Sequence, residues 1–294
     1  MKILITGGAG FIGSSIATAL AKKKHKLTIY DIDTQDTKID NIEHIKGDIF
    51  NAPHLTNFLK ECDSVIHLVG SSEARTPQKR PQMSFDLNIR SLQVLLEAMR
   101  NTGVPRLILS SSSAVYGIVY QSPVSEKTVP KPTNIHGYHK YMAEQLAEAY
   151  SVNYNMHMTI LRLFNVCGIG GHGILNILLE KASRGESVKL YGEKQKRDFI
   201  HVSDVADAFA NILQLDREFE LYNVGTGVGR SIEDIANLVK ERFPNLSVEH
   251  SEYEGVFYDF VADITKLRDT TSFNPDRSDD KLKEVVRNWK SCIK

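Results

Sequence analysis

The first thirteen residues, Met1-Lys-Ile-Leu-Ile-Thr-Gly-Gly-Ala-Gly-Phe-Ile-Gly13, restrict the fold more than any other stretch. Ile3, Leu4 and Ile5 form an apolar run without polar alternation, the pattern of a parallel strand covered on both faces. The chain then passes through Gly7, Gly8 and Gly10 into helical spacing at Phe11, Ile12, Ile16, Ala17 and Leu20. In Gly7-x-x-Gly10-x-x-Gly13 the first glycine permits a tight turn and the second lets backbone approach a pyrophosphate. The third lets the helix pack closely on the strand. The helix N-terminus then offers free N–H groups and a positive dipole end to phosphates. A glycine-rich turn alone would equally suit a structural loop. Here a second strand, Lys26 to Tyr30, runs into Asp31, about 20 residues beyond the turn, where an acidic side chain accepts from a ribose 2′-OH. Asp31 would repel a 2′-phosphate and no arginine follows it, so the reading is NAD rather than NADP.

The following residues repeat this rhythm. A short strand at Ile42 to Ile45 leads into Gly47-Asp48-Ile49, and helical spacing covers 52–60. A buried strand spans Ser64 to Gly70, a long helix pattern covers Phe85 to Asn101, and a strand from Arg106 to Ser110 enters Ser111-Ser-Ser-Ala-Val-Tyr-Gly117. Alternating strands and helices imply an α/β, Rossmann-type doubly wound parallel sheet whose ligand crevice lies at the carboxyl ends of its strands. Asp48, Leu68, Val69, Gly70 and Ser110 to Ser112 fall at such ends.

With 294 residues the chain can build one large domain or two. Its formal net charge of zero gives no support for a nucleic-acid or membrane partner. Cys62, Cys167 and Cys292 have no metal-type spacing and suit a reducing cytosol, so a cytoplasmic location and no bound metal are expected. The first strand is expected to begin at residue 2, so no signal peptide is expected, and no apolar run approaches the roughly 20 residues needed to cross a bilayer.

Several motifs occur in order: the Thr6 to Gly13 turn, Gly47-Asp48-Ile49, His67-Leu-Val-Gly70, Asn88, Ser110 to Gly117, Leu161-Arg-Leu-Phe-Asn165, Arg197-Asp-Phe-Ile-His-Val202 and Tyr222-Asn-Val-Gly225. As a set they resemble the extended short-chain dehydrogenase/reductase family, in particular its nucleotide-sugar epimerases and dehydratases, over nearly the whole chain. The resemblance implies that Gly7, Gly10, Phe11, Ile12 and Gly13 line the pyrophosphate turn, with Asp31 at the adenosine ribose. It implies Asp48 and Ile49 at the adenine. Leu68, Val69 and Gly70 would lie along the cofactor, with Asn88 below it. Ser110, Lys140 and Phe164 would complete the cofactor contacts. Ser112 occupies the family's catalytic Ser/Thr position, and Lys140 that of the lysine holding the nicotinamide ribose.

The family's proton acceptor is a tyrosine four residues before the lysine. Here that position is His136, in Asn134-Ile-His-Gly-Tyr-His-Lys140. Tyr138 lies some 200° further round a helix that turns about 100° per residue, and so points elsewhere. An imidazole titrates near neutrality and is the commonest general base, and a lysine and a cationic nicotinamide beside it favour its neutral form. His136 acting as the base is therefore the adopted reading. Loss of the oxidation step, leaving a protein that only binds or that runs a different reaction in the same pocket, such as a 4-ketosugar reduction or a dehydration, is the alternative. The Asp-Glu pair that the family's 4,6-dehydratases use is replaced by Ser113 and Ala114, which leaves no acid for a departing hydroxyl. Its 4-ketosugar reductases generally draw NADPH, which Asp31 disfavours. A hydride removed and returned, as in a 4-epimerase, remains.

The nucleotide-binding part is expected to span 1–165, with 199–215 returning to it, and a smaller α/β substrate-binding region to span mainly 166–294. The substrate implied by the resemblance is a nucleotide-diphosphate sugar touched by Ser112, Asn165, Tyr191 and Arg197. A planar guanidinium suits phosphate oxygens, but the second phosphate arginine usual near Ser251 to Gly255 is absent, and Glu252 and Glu254 would repel a diphosphate. The family usually dimerises through the helices that here cover about 85–101 and 136–151, so a homodimer is expected, with Leu92, Leu95, Leu96, Met142 and Leu146 as candidate contacts or core.

Overall fold

The computed structural model describes residues 1–33, 42–70, 76–215, 217–252 and 255–290. In chain order the elements are β1 (Lys2–Thr6), α1 (Phe11–Ala21), β2 (Lys26–Asp31), β3 (Glu43–Lys46), α2 (Ala52–Leu59) and β4 (Ser64–His67). Next come α3 (Thr76–Lys79), α4 (Pro81–Phe85), a π-turn (Asp86–Arg90), α5 (Ser91–Thr102) and β5 (Arg106–Ser112). A 3-10 turn (Ser113–Tyr116), α6 (Ile135–Tyr154), β6 (His157–Leu163), β7 (Asn165–Cys167) and α7 (Ile174–Ser183) follow. The chain continues through β8 (Val188–Tyr191), β9 (Lys196–His201), α8 (Val202–Ile212), β10 (Phe219–Val224), β11 (Gly229–Ser231) and α9 (Ile232–Arg242). It finishes with β12 (Val248–Ser251), α10 (Thr265–Thr270) and α11 (Asp280–Asn288).

Seven strands form one parallel sheet in the order β10-β6-β5-β4-β1-β2-β3. The apolar runs of β1, β4, β5 and β6 are buried because helices cover both faces. One core lies where α1 and α8 pack together, and the other lies under α2, α5 and α6. Winding reverses between β1 and β4, and a crevice opens at the strand ends there. The doubly wound sheet expected from the sequence is thus present.

Residues 199–215 divide. Helix α8 packs on α1, whereas β9 lies outside the large sheet and pairs with β7 and β11 in a separate three-stranded sheet. The strand that returns is β10, whose Phe219 to Val224 run in register with Met158 to Leu163 of β6. The physical reason is visible at Phe164, where the chain leaves β6: its N–H donates to Val224 O at 2.9 Å, and the next residues turn into β7.

The helix expected over Phe85 to Asn101 is helical from Pro81 to Thr102, with the π-turn at Asp86–Arg90 inserted in it. It stops at Gly103, whose φ of +75° is the left-handed conformation a helix end uses. Leu92, Leu95 and Leu96 of this helix are fully buried core residues, whereas Met142 of α6 is exposed. The third core, around β8, α7, α9 and α11, includes Leu282, Val285, Val286 and Trp289. Among the described residues no helix is long and apolar enough to cross a membrane. Cys292 lies outside the described residues.

Candidate active site

The glycine turn is built by steric exclusion. Gly7 has φ of +72°, and a Cβ there would stand 2.9 Å from Val69 N. A Cβ on Gly13 would be 2.6 Å from both Gly7 O and Gly8 Cα, so the third glycine seats the helix on the turn itself rather than on the strand. At Gly10 the nearest atom would be Gly7 O at 3.5 Å, which leaves room beside the backbone. Gly10 caps α1 without a side-chain bond, so the first-turn N–H groups stay available for an anion. Asp31 Oδ2 accepts from Ala9 N at 3.0 Å and Oδ1 from Asp33 N at 3.3 Å, which fixes the carboxylate beside the turn.

All residues singled out in the sequence for cofactor or substrate line one cleft of about 1070 Å³, except Asn88. Asn88 is buried one layer below. Its Nδ2 donates to Ser84 O at 2.8 Å, and its Oδ1 has no partner. That oxygen lies 3.0 Å, and Lys140 Nζ 3.3 Å, from the place a Cβ on Gly70 would take. A bare backbone at Gly70, free N–H groups at α1 and a fixed carboxylate at the end of β2 fit a dinucleotide lying across the strand ends.

The chemical end of the cleft lies where β5 meets α6. Asn134 caps α6, its Oδ1 accepting from Gly137 N at 2.9 Å, which sets the first turn against the strand end. Lys140 Nζ donates to Ser110 O at 3.1 Å, and Ser112 Oγ accepts from Ala114 N at 3.2 Å. His136 faces the cleft with Nδ1 buried and unpartnered. Burial, then the charges of Lys140 and His139, push its imidazole down to about 4. Burial lowers Lys140 to about 8, against the opposing charge of Glu144. Near neutral pH the histidine is therefore uncharged and the lysine largely charged. Tyr138 sits on the outer side of the helix, half-exposed. His139 is buried with Nδ1 2.8 Å from Ser84 Oγ.

The far end of the cleft is framed by α7 and β9. Arg197 is stacked over Tyr258, with its guanidinium 4.8 Å from the ring centroid. Its Nη1 donates to Lys196 O and Tyr258 O, and Nη2 to Gln195 Oε1 at 2.9 Å. Among the described residues this leaves Nε–H and one Nη2–H, the side-on edge of the fork that meets a phosphate bidentately. Asn165 Nδ2 is tied to Asp198 O at 2.8 Å, which leaves its carbonyl oxygen for a ligand. Tyr191 is half-exposed at the lip, with Lys189 Nζ 5.6 Å from its ring centroid. The glycine-rich residues 168–173 pack on the glycine turn: Cβ atoms at Gly168 and Gly171 would stand 3.0 and 3.1 Å from Phe11 Cζ.

Sequence reasoning passed over Glu144, Arg162 and Gln195. Arg162 carried a signal, a charged residue inside the apolar strand Met158 to Leu163. Glu144 is one helical turn beyond Lys140, and Gln195 is buried between Arg197 and Tyr258.

A Rossmann-type sheet, a glycine turn with a carboxylate fixed beside it, and Ser112 and Lys140 over the same cleft make a dinucleotide-binding site of the short-chain dehydrogenase/reductase type. The chain belongs to the NAD dependent epimerase/dehydratase family, whose pattern matches residues 3–225. NAD is accordingly its cofactor. The chain is similar to a putative UDP-glucose 4-epimerase of Methanocaldococcus jannaschii, with 31% identity, covering 98% of this chain and 97% of that protein. Its fold is similar to the UDP-glucose 4-epimerase of Thermotoga maritima solved with UDP-glucose, at a TM-score of 0.88 and 27% identity, covering 98% of both chains. It is likewise similar to the Thermus thermophilus UDP-glucose 4-epimerase complexed with NAD, at a TM-score of 0.89 and 25% identity, covering 100% of both chains.

Proposed function

We propose that this chain is an epimerase of a UDP-linked sugar that inverts one secondary alcohol, at C4 of the sugar, by removal and return of a hydride. The observation carrying this reading is the single cleft that joins the dinucleotide turn to Ser112, His136, Lys140 and Arg197. Bound NAD supplies the hydride acceptor and donor. Ser112 already takes the Ala114 N–H on its oxygen, so its own O–H is free to donate to the sugar oxygen. His136, uncharged near neutral pH, takes the hydroxyl proton and gives it back, as a general base then acid. Lys140, anchored by Ser110 O, presents its remaining N–H donors to the nicotinamide ribose. Arg197 offers its side-on edge to a phosphate. The N-terminus of α7, capped by Gly173 with no side-chain bond, lines the same cleft and offers free N–H groups to the other phosphate in place of the missing second arginine. Tyr191 at the lip gives the base a stacking surface. The UDP-glucose and NAD complexes of the similar proteins support this choice of ligands.

A second reading, a protein that binds NAD and a nucleotide sugar without turning it over, is favoured by the histidine at 136 and by the single arginine. One experiment separates the two. Purified protein with NAD is incubated with UDP-, dTDP-, GDP- and CDP-sugars, with products followed by NMR and thermal stability measured in parallel. Appearance of the C4 epimer from a UDP-sugar is expected. Stabilisation without any product would overturn the epimerase reading in favour of the binding one, and silence in both readouts would refute the substrate class.

The protein is further inferred to pair with a second copy. Met83 and Phe85 of α4 and Ile135, Tyr138 and Met142 of α6 are exposed apolar residues on two helices that pack against each other.

A further inference from the structure

Three neighbouring strands carry polar residues at one level beneath the site. Ser111 of β5 is in register with Arg162 of β6, and Arg162 with Asn223 of β10. Each is buried. Glu144 of α6 reaches into this row. Its Oε1 accepts from Ser111 Oγ at 2.5 Å and from Arg162 Nε at 3.0 Å, and its Oε2 accepts from Arg162 Nη2 at 2.7 Å. The guanidinium lies 4.6 Å from the Tyr116 ring centroid, and Tyr116 O–H donates to Asn223 Oδ1 at 2.7 Å. Asn223 is held in turn by Val124 O and by Glu126 Oε1 on its N–H.

A buried ion pair is a weak source of stability, because desolvating both charges offsets their attraction, and an apolar pair of similar volume often serves as well. The location of this pair therefore calls for another explanation. Ser111 lies between Ser110, whose carbonyl holds Lys140, and Ser112. Glu144 lies one helical turn beyond Lys140 on the same helix. One carboxylate thus touches the strand arm of the site and steadies the helical arm, with a bidentate arginine fixing its own orientation.

We propose that Glu144, with Arg162 and Ser111, is a positioning unit that locks Lys140 in register with the Ser110–Ser112 strand end. This inference rests on Lys140 and Ser112 being the working groups of the proposed function. The titratable groups facing Lys140 are His67 on β4 and His136 and Glu144 on α6, while Asn88 and Ser110 face it with uncharged groups. Of these, His67 and His136 are held neutral by burial. Among the described residues Glu144 is the one anion of this set, and its charge favours the protonated lysine; the cation paired with it is Arg162.

The test uses Ser111→Ala, Glu144→Asp and the paired change E144Q/R162M, which removes both charges and so avoids stranding a buried guanidinium. Each variant is assayed for thermal unfolding, NAD affinity, kcat, and the pH dependence of Lys140 acylation read by mass spectrometry. In E144Q/R162M the midpoint of Lys140 reactivity should move to lower pH, and kcat should fall on the order of 100-fold, the scale of a misplaced catalytic group. NAD affinity should change far less. Glu144→Asp, which keeps the charge, should keep the midpoint. Ser111→Ala, which leaves the ion pair intact, should also keep the midpoint while lowering kcat. An unmoved midpoint in the paired variant overturns the proposal. So does a loss of turnover that only tracks loss of folded protein. Should the paired variant fail to fold, Ser111→Ala decides: kcat unchanged in a folded protein overturns the proposal, as does a midpoint moved in Glu144→Asp. If the unaltered protein turns over no sugar, the catalytic reading fails while the Lys140 midpoint still tests the positioning unit.

Discussion

His136 is the residue on which the chemistry turns. Its imidazole must be neutral to accept a proton, so activity should rise as pH rises through about 4. Lys140 must be charged to hold the ribose, so activity should fall as pH rises through about 8. A profile of kcat/KM against pH should therefore show a plateau between those limits, and a rising limb near the ordinary tyrosine range instead would argue against His136 as base. Replacing His136 with Phe should lower turnover roughly 100- to 10,000-fold, the range of a lost general base, while NAD binding persists. Unchanged turnover in H136F would remove His136 from the mechanism. Residues of this kind were legible in the sequence because their demands are specific: Gly7 needs positive φ, Gly13 tolerates no Cβ, and Asp31 ends its strand facing the turn. Glu144 and Arg162 were not, because their role comes from a partner on another element. On a helix or strand pattern each is simply a charge.

At the scale of elements, the site depends on how closely α6 approaches the turn after β5. A Cβ at Gly137 would collide with the Ala114 carbonyl, and Pro132 Cβ would be 3.2 Å away. Gly137→Ala should therefore push His136 and Lys140 away from Ser112. The expected result is a loss of about 1–3 kcal/mol in stability from overpacking and a fall in kcat on the order of 100-fold from the displaced geometry. Denaturant unfolding and steady-state kinetics check the two effects, and a G137A protein with unchanged kcat would show that the seam does not set the geometry. The strand and helix rhythm of the first half was readable because buried parallel strands and amphipathic helices leave different periods. The π-turn was not readable. It contains Asn88 and leaves the apolar spacing of Leu92, Leu95 and Leu96 undisturbed, so the periodicity carries no trace of it. Nor did the pattern show that β9 would join the small sheet, since both sheets bury apolar strands alike.

For the whole molecule, pairing through the exposed apolar residues of α4 and α6 has a direct readout. Phe85→Lys together with Met142→Glu should give a monomer by analytical ultracentrifugation with its unfolding midpoint nearly intact, since both side chains are exposed in the single chain. A wild-type protein that sediments as a monomer would refute the dimer. The closing of the large sheet by β10 has another consequence, one that concerns the making of the chain. The inner strands are complete when Leu163 has been synthesised, but the partner for the free edge of β6 ends at Val224, about sixty residues later. At the ~5–20 residues per second of translation, that edge is without its neighbour for several seconds, with a row of unpaired backbone groups on a hydrophobic strand. The nascent protein is thus most prone to wrong pairing in the middle of its own synthesis, and a shortened chain ending near residue 165 keeps that vulnerability permanently.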